Sequence, residues 1–247
     1  KSPLFHDSAM QIAQILNGLA YEEFQDHNKG EFRSKLISFI QETSQEHPEI
    51  EIDLFSVKAT FYESVDEIEK AVNSLEKYVG GENFNDSHRY YLASLKLKND
   101  EYDSAISLVK AILEKEPENA QALNFIGYSM LEKNENIKKA YEYISKAVEI
   151  DPRDGFIRDS LGWYYYKVGQ YGKALEELKK AWEFEKDDVV ITKHLAMAYK
   201  KTKRFAQAKK YYMEALKNCR YESQRKEVMR HLGDLEALRL PASTRSP

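Results

Sequence analysis

The sequence predicts an all-α fold in which antiparallel helix-turn-helix repeats stack into an α-solenoid that ends in a C-terminal capping helix. Two series of small residues recur in one phase, and successive members of each series are 34 or 35 residues apart. The first series is Ala59, Ala93, Gly127, Gly162 and Ala196, and the second is Ala71, Ala105, Ala140, Ala174 and Ala208. A period of this length is typical of a repeat made of two helices. The composition agrees, since 42% of the residues are hydrophobic and only ten are Gly and six are Pro.

Residues 155–188 form the most regular copy of this unit. Their apolar residues fit one helix before a break at 169–172 and a second helix after it. Gly162 lies inside the first helix, where glycine costs about 1 kcal/mol relative to alanine. We therefore expect Gly162 and, in the preceding copy, Gly127 to allow close approach of two helix backbones, with Ala174 and Ala140 facing them.

The pattern resembles the tetratricopeptide repeat (TPR), whose signature is Trp-x2-Leu-Gly-x2-Tyr, then Ala-x3-Phe, then Pro. Arg158 replaces the Trp and Lys186 the Pro, while Pro117 and Pro152 match the closing Pro of the two preceding copies. The resemblance covers roughly residues 52–222 and implies a right-handed solenoid. The residues of this copy that match are Leu161, Gly162 and Tyr165 in the first helix and Ala174, Leu178 and Ala181 in the second.

The predicted domain organisation follows the chain in order. An N-terminal helical hairpin is interpreted as a divergent capping repeat, because it lacks the small residues at the expected places. The third phased repeat contains one extra residue near 134–136, in its turn. The predicted segments are the hairpin at 1–51, five repeats at about 52–85, 86–119, 120–154, 155–188 and 189–222, a capping helix at 223–240, and a disordered tail at 241–247.

No motif for catalysis is present, and we predict that the chain is not an enzyme. The six histidines are far apart and form no HExxH motif or Cys/His cluster, so no metal site is expected. Glycine-rich phosphate loops and nucleophile elbows are also missing from the sequence, and no cofactor is expected. The single cysteine, Cys219, lies beside Lys217 and Arg220, whose charges would lower the pKa of its thiol; the alternative is a cysteine without a role.

Recognition of another protein is the function that this architecture favours. In stacked helical hairpins the first helix of each pair lines the concave surface, where extended ligands bind. Aromatic and Met side chains supply contact area there, and Asn, Asp and Lys can bind a peptide backbone or terminus. For Tyr128 and Trp163 the alternative is burial between neighbouring hairpins. The predicted partner-binding residues are Tyr90, Ser94, Asn124, Tyr128, Leu131, Asp159, Trp163, Tyr166, Lys193, Met197 and Lys200.

A narrower resemblance concerns residues 120–220. The run ALNFIGYSMLEK, and later DSLGW followed by a Tyr-rich helix, are similar to bacterial TPR lipoproteins of the cell envelope. Some members of that group are adaptors that hold a processing protease or an assembly factor near the outer membrane. The resemblance implies a Gram-negative periplasmic scaffold, associated with the outer membrane through a lipid-bearing cysteine that this sequence does not contain. A cytoplasmic location is the alternative.

Charge is distributed unevenly along the chain. Residues 1–119 contain 12 Lys and Arg against 23 Asp and Glu, whereas residues 120–247 contain 25 against 18. Besides a protein or peptide ligand, this asymmetry leaves two alternatives: a nucleic acid or anionic surface bound by the C-terminal repeats, or head-to-tail contact in a homo-oligomer. A solvated lysine-rich face is the simpler interpretation, and no small-molecule substrate is expected. The basic residues concerned are Lys200, Lys201, Lys203, Arg204, Lys209 and Lys210.

Overall fold

The computed structural model of the chain describes residues 3–26 and 30–237. Within these residues it contains thirteen α-helices, one short 3-10 helix and no β-strand, which confirms the predicted all-α helical-repeat fold. The chain divides into two compact units, residues 1–112 and residues 113–247. The predicted disordered tail at 241–247 lies outside the described residues. Among the helices that are described, none is both long enough and apolar enough to cross a membrane.

Unit 1 consists of three helix pairs. The pairs α1–α2 and α3–α4 pack as hairpins, and α1 and α2 both contact α3. The fully buried side chains of the core include Leu36, Leu54, Phe61, Leu75 and Leu92. The helices are α1 (Pro3–Gln25), α2 (Glu31–Glu46), the 3-10 helix (Pro48–Ile50), α3 (Glu51–Ser64), α4 (Ile68–Glu76), α5 (Asp86–Lys98) and α6 (Tyr102–Leu113), whose last residue already belongs to unit 2.

Unit 2 consists of three further hairpins and a final helix. The hairpins are α7–α8, α9–α10 and α11–α12, and each second helix packs against the first helix of the next pair. The first helices also contact one another in the order α7, α9, α11 and α13, so they form one layer of the unit. The helices are α7 (Ala120–Glu132), α8 (Ile137–Ile150), α9 (Gly155–Lys167), α10 (Tyr171–Phe184), α11 (Val189–Lys201), α12 (Phe205–Asn218) and α13 (Glu222–Ala237).

The small residues of both series lie inside the helix pairs. All ten are buried. A Cβ atom at Gly127 would lie 2.7 Å from Cγ1 of Ile144 and 2.9 Å from the carbonyl oxygen of Ala140, so Gly127 faces the expected residue and also the residue one helical turn later. A Cβ atom at Gly162 would lie 2.6 Å from Cγ of Leu178. The expected partner of Gly162, Ala174, is thus replaced by Leu178, one helical turn further along α10.

Each of the five phased hairpins turns at a residue with a left-handed backbone conformation. These residues have φ between 53° and 78° and are Asp66, Asp100, Asn134, Gly169 and Lys203. Each lies seven residues after the small residue of its first helix. The extra residue of the third repeat comes after this point, where Asn136 adopts a second left-handed conformation with φ 42° and caps α8. The first helices therefore all end in the same way.

Candidate functional site

The first helices of unit 1, α1, α3 and α5, border an open groove with a volume of about 430 Å³. Ligand-binding clefts commonly have volumes of about 300–1,000 Å³. The groove is lined by both apolar and polar side chains. The lining residues are His6, Met10, Asp53, Ser56, Val57, Thr60 and Tyr91.

Asp53 links the three helices that border the groove. Its Oδ2 atom lies 3.1 Å from Nε2 of His6 on α1, and its Oδ1 atom lies 3.2 Å from Nε2 of His88 on α5. The backbone N–H of Asn85 donates to Nδ1 of His88 over 3.3 Å. Because Nδ1 is thereby an acceptor, the ring proton of His88 is on Nε2 and is donated to Asp53.

His6 is the histidine among the groove-lining residues. The hydrogen bond to Asp53 raises the pKa of His6 above its usual value; partial burial acts against this, and Asp7 adds to it. Nδ1 of His6 lies 3.5 Å from a carboxylate oxygen of Asp7. The protonated form of His6 thus has a carboxylate on each side of the ring.

Tyr91 carries the second polar cluster of the groove. Its hydroxyl oxygen lies 3.0 Å from Oε2 of Glu63 and 3.1 Å from Oγ1 of Thr60. Thr60 donates its own hydroxyl proton to the carbonyl oxygen of Ser56 over 3.0 Å. These bonds hold α5 against α3 and fix the polar wall of the groove before any ligand binds.

In unit 2 the corresponding surface is filled by an aromatic stack. The Trp163 ring lies between the rings of Tyr166 and His194, with centroid distances of 4.7 and 4.1 Å and interplanar angles of 9°. Its Nε1–H donates to Oε1 of Glu132 on α7 over 2.6 Å. Only 8% of Trp163 is exposed. Trp163 therefore packs α7, α9 and α11 together, so burial between neighbouring hairpins, the alternative for this residue, is what the structure shows.

Besides Trp163, two predicted partner-binding residues are buried, and this is a correction. Leu131 is completely buried in the cluster that contains Trp163. Asp159 is buried, and its two carboxylate oxygens lie 3.0 and 2.9 Å from Nδ1 of His194. Burial of an unpaired carboxylate would be costly, so this bond accounts for an acidic residue inside the unit. Neither side chain is accessible to a partner.

The two predicted lysines of this surface are paired within the chain. Lys193 Nζ lies 2.9 Å from Glu227, and Lys200 Nζ lies 3.9 Å from Asp234, both on α13. α13 also buries Val228 and Leu235. It therefore contributes charge to the first-helix layer as well as capping the stack.

The remaining predicted residues are half-buried. Tyr128 and Met197 pack against the Trp163 cluster, and burial raises the pKa of the Tyr128 hydroxyl. Asn124 has a buried side-chain oxygen without a hydrogen-bond partner among the described residues. Tyr90 and Ser94 lie on α5 in unit 1, but neither lines the groove there.

The sequence prediction did not include the groove residues of unit 1. Ser56 and Thr60 lie 34 residues before Tyr90 and Ser94. Extending the predicted series by one repeat would have identified both. His6 and Met10 belong to the divergent first hairpin, which has no phased small residues, so the period gives no signal for them.

The other chemical predictions can be placed in the structure. Burial raises the pKa of the Cys219 thiol, and the nearby Arg225 only partly offsets this, so the expected lowering is wrong. Within residues 3–26 and 30–237, no group of three or more His, Cys, Asp and Glu side chains could hold a metal ion. Of the predicted basic patch, Lys200 and Lys209 pair with Asp234 and Glu236 on α13.

Comparison with known families adds to this geometry. The family model described as "Fis1 C-terminal tetratricopeptide repeat" matches residues 87–125, and the model described as "Tetratricopeptide repeat" matches residues 120–154 and 194–220. These matches show that the chain contains tetratricopeptide repeats over the matched residues. A curated relative of this TPR chain is the TPR repeat-containing protein PA4667 of Pseudomonas aeruginosa, which is 27% identical over 142 residues. These are 58% of this chain but only 24% of PA4667, so the TPR chain spans about a quarter of that relative's length.

Solved TPR structures share the fold. A thermophilic TPR protein of Thermus thermophilus, TTC0263, superposes with a TM-score of 0.60 at 19% identity, over 72% of this chain and 95% of that one. The APC/C hetero-tetramer Cut9–Hcn1 gives a TM-score of 0.67 at 17% identity, over 84% of this chain and 40% of that one. At these identities the likeness of the TPR chain to both structures concerns the fold alone.

Proposed function

We propose that the chain is a non-catalytic scaffold that binds a protein or peptide segment on its first-helix surface, and that the groove of unit 1 is the anchoring site. The observation that carries the proposal is the open, preformed groove between α1, α3 and α5. The equivalent layer of unit 2 is filled by the Trp163 stack. Stacked helical hairpins offer extended surfaces for such ligands.

The chemistry of the groove suits an extended segment. Met10 and Val57 provide an apolar floor for one side chain of the ligand. The hydroxyl oxygens of Ser56, Thr60 and Tyr91 can accept hydrogen bonds from backbone N–H groups of the ligand. Because these hydroxyls are already fixed by bonds within the unit, binding costs little additional ordering.

The test compares two serines on the first helices of neighbouring repeats. Ser56→Arg places a long side chain into the groove, whereas Ser94→Arg, on α5, changes a half-buried serine that does not line it. Protein purified from native cells is analysed by mass spectrometry, and circular dichroism checks that both variants fold. We expect the co-purifying partner to be lost from Ser56→Arg and kept by Ser94→Arg.

Other results of this test would assign the binding site to a different surface. Loss of the partner from Ser94→Arg alone would favour the first-helix positions predicted from the sequence, which include Tyr90 and Ser94. Retention of the partner by both variants would show that neither surface binds it.

The proposal includes a role and a compartment. The resemblance of residues 120–220 to cell-envelope TPR lipoproteins supports a periplasmic, outer-membrane-associated adaptor that tethers a protease or an assembly factor. Fractionation of native cells together with the mass spectrometry above tests both parts. Recovery in the cytoplasmic fraction, or a partner that is neither a protease nor an assembly factor, would contradict this narrower proposal and leave the groove unaffected.

A further inference from the structure

Four exposed apolar residues lie at two successive repeat junctions of unit 2. Ile150 and Phe184 end α8 and α10, and Phe156 and Val190 lie in the first turns of α9 and α11. Members of each pair are 34 residues apart and so occupy equivalent positions. Their exposed fractions are 40% for Ile150, 41% for Phe184, 52% for Phe156 and 39% for Val190. We call these four residues the junction stripe.

Contacts join the two junctions. A Cβ atom at Gly155 would lie 2.5 Å from Cγ of Glu185, so the start of α9 lies directly against the end of α10. The guanidinium carbon of Arg153 lies 6.0 Å from the centroid of the Phe184 ring. The two junctions that carry Phe156 and Phe184 are therefore in direct contact.

The stripe is limited to these two junctions. One repeat earlier, the equivalent residues are Lys115 and Gln121, and one repeat later they are Asn218 and Gln224. Packing of the repeats alone would not select apolar residues at two junctions and polar residues at both flanking ones. Contiguous exposed apolar groups with polar surroundings are typical of binding surfaces.

The segments between the helices at the two junctions, with the last turns before them, are acidic. Residues 149–154 and 183–188 contain seven Asp and Glu against one Arg and one Lys. Both cations lie over aromatic rings: Arg153 over Phe184 and Lys186, at 5.6 Å, over Trp182. A ligand of this surface should therefore combine apolar side chains with positive charge.

The outer face of α12 has this combination. Its exposed residues at helical spacing are Ala206, Lys209, Lys210, Met213 and Lys217, which we call the basic face. Met213 is 45% exposed. Ala206 and Met213 are seven residues apart, which is about 10 Å along a helix. Neighbouring helices such as α9 and α11 pack about 8–10 Å apart, so the two apolar side chains match the spacing of the two junctions.

We propose that a second copy of this chain docks the basic face of its α12 on the junction stripe of the first copy. The apolar side chains of α12 cover the stripe, and Lys210 and Lys217 face the carboxylates around it, whereas Lys209 stays paired with Glu236 of its own chain. Because the two surfaces differ, each pair of copies leaves one stripe and one basic face unoccupied, and association continues head to tail beyond the dimer. This assembly goes beyond the proposed function and does not use the groove of unit 1.

Charge reversal with complementary mixing tests the proposal. One variant carries Glu183→Lys and Asp187→Lys, and the other carries Lys210→Glu and Lys217→Glu. Sedimentation velocity over a concentration series should show association of the unmodified chain that weakens at high salt. Each variant alone should associate at least tenfold more weakly, because like charges then face each other. An equimolar mixture of the two should recover association.

An apolar pair of substitutions gives the matched control. Phe184→Ser should weaken association, and Met229→Ser, at a 56% exposed residue on α13, should leave it unchanged. Circular dichroism checks the fold of all variants. A chain that sediments as a monomer throughout would overturn the proposal, and so would failure of the mixture to recover. Binding of a Leu/Lys amphipathic peptide to a monomeric chain, lost in Phe184→Ser, would overturn it by assigning the stripe to another protein.

Discussion

Unit 1 and unit 2 place different side chains at the same position of the repeat, and the difference decides whether a groove remains. Thr60 and Trp163 belong to one series of equivalent positions, together with Ser94, Tyr128 and Met197. Thr60 is small and leaves space beside Ser56 and Val57. Trp163 fills the corresponding space and is only 8% exposed.

This comparison separates position from accessibility. The repeat period determines where on the first helix a side chain lies, but the size of that side chain and its neighbours determines whether a partner can reach it. Large aromatic residues at the predicted groove positions therefore indicated a binding surface when only the sequence was considered. In the structure Trp163 instead packs between helices. The small polar residues of unit 1, which the prediction did not include, border the open space.

The largest expected effect comes from removing the Trp163 ring, which fills the first-helix surface of unit 2. Trp163→Ala should lower the free energy of unfolding by about 3–5 kcal/mol, because it removes a buried ring and leaves Glu132 without its indole donor. Urea denaturation followed by far-UV circular dichroism measures this. Met229→Ala, at an exposed residue, should change stability by no more than about 0.5 kcal/mol. A loss for Trp163→Ala no larger than that of the control would show that the ring does not hold the unit together.

A second effect concerns backbone spacing. Unit 1 has Ala59 and Ala93 where unit 2 has Gly127 and Gly162. Gly162→Ala should destabilise the chain by about 1–3 kcal/mol, because its Cβ would lie 2.6 Å from Leu178 and overpack the hairpin.

The control for this substitution is a helical glycine in open space. A Cβ atom at Gly233 on α13 would meet no other side chain or helix within 4 Å, so Gly233→Ala should stabilise the helix by up to about 1 kcal/mol. Thermal melts of the two variants should therefore shift in opposite directions. Shifts of the same sign would contradict the role given to Gly162.

The smallest effect is a pH dependence confined to unit 1. The pKa of folded His6 is raised above its ordinary value of 6.5, so its interaction with Asp53 and Asp7 is complete below that value and is lost as the pH rises through the raised pKa. His6 is partly exposed, so the contribution should stay below about 1 kcal/mol. Melting temperatures of the unmodified chain and His6→Gln, measured across this range, should differ more at low pH than at high pH. A constant difference would show that protonation of His6 does not stabilise α1.

The fold could be predicted from the sequence because its determinant is local and periodic. A buried small residue every 34 or 35 positions, such as Ala105, Ala140 and Ala174, requires helix pairs of constant length that pack closely. The exact partner of Gly162 could not be predicted in this way. Leu178 and Ala174 lie one turn apart on the same helix, and the offset between two helices is set by all their contacts together.

The site was less predictable because it depends on residues distant in sequence. Asp159 is buried and hydrogen-bonded to His194, which lies 35 residues later in the sequence. Lys193 is neutralised by Glu227 on α13, a helix outside the phased repeats. His6 reaches the groove from α1, which has no phase in common with α3 and α5. None of these pairings can be predicted from the repeat period and the residue types alone.

The left-handed residue at each hairpin turn has a consequence for engineering the chain. Since the distance from the small residue of the first helix to this turn is seven residues in all five repeats, the natural length change occurs after it, between Asn134 and Asn136. That short segment is exposed. It is therefore the place where a fluorescent label or a short peptide tag can be inserted without altering either helix layer, and where loop length could be varied to report on assembly in solution.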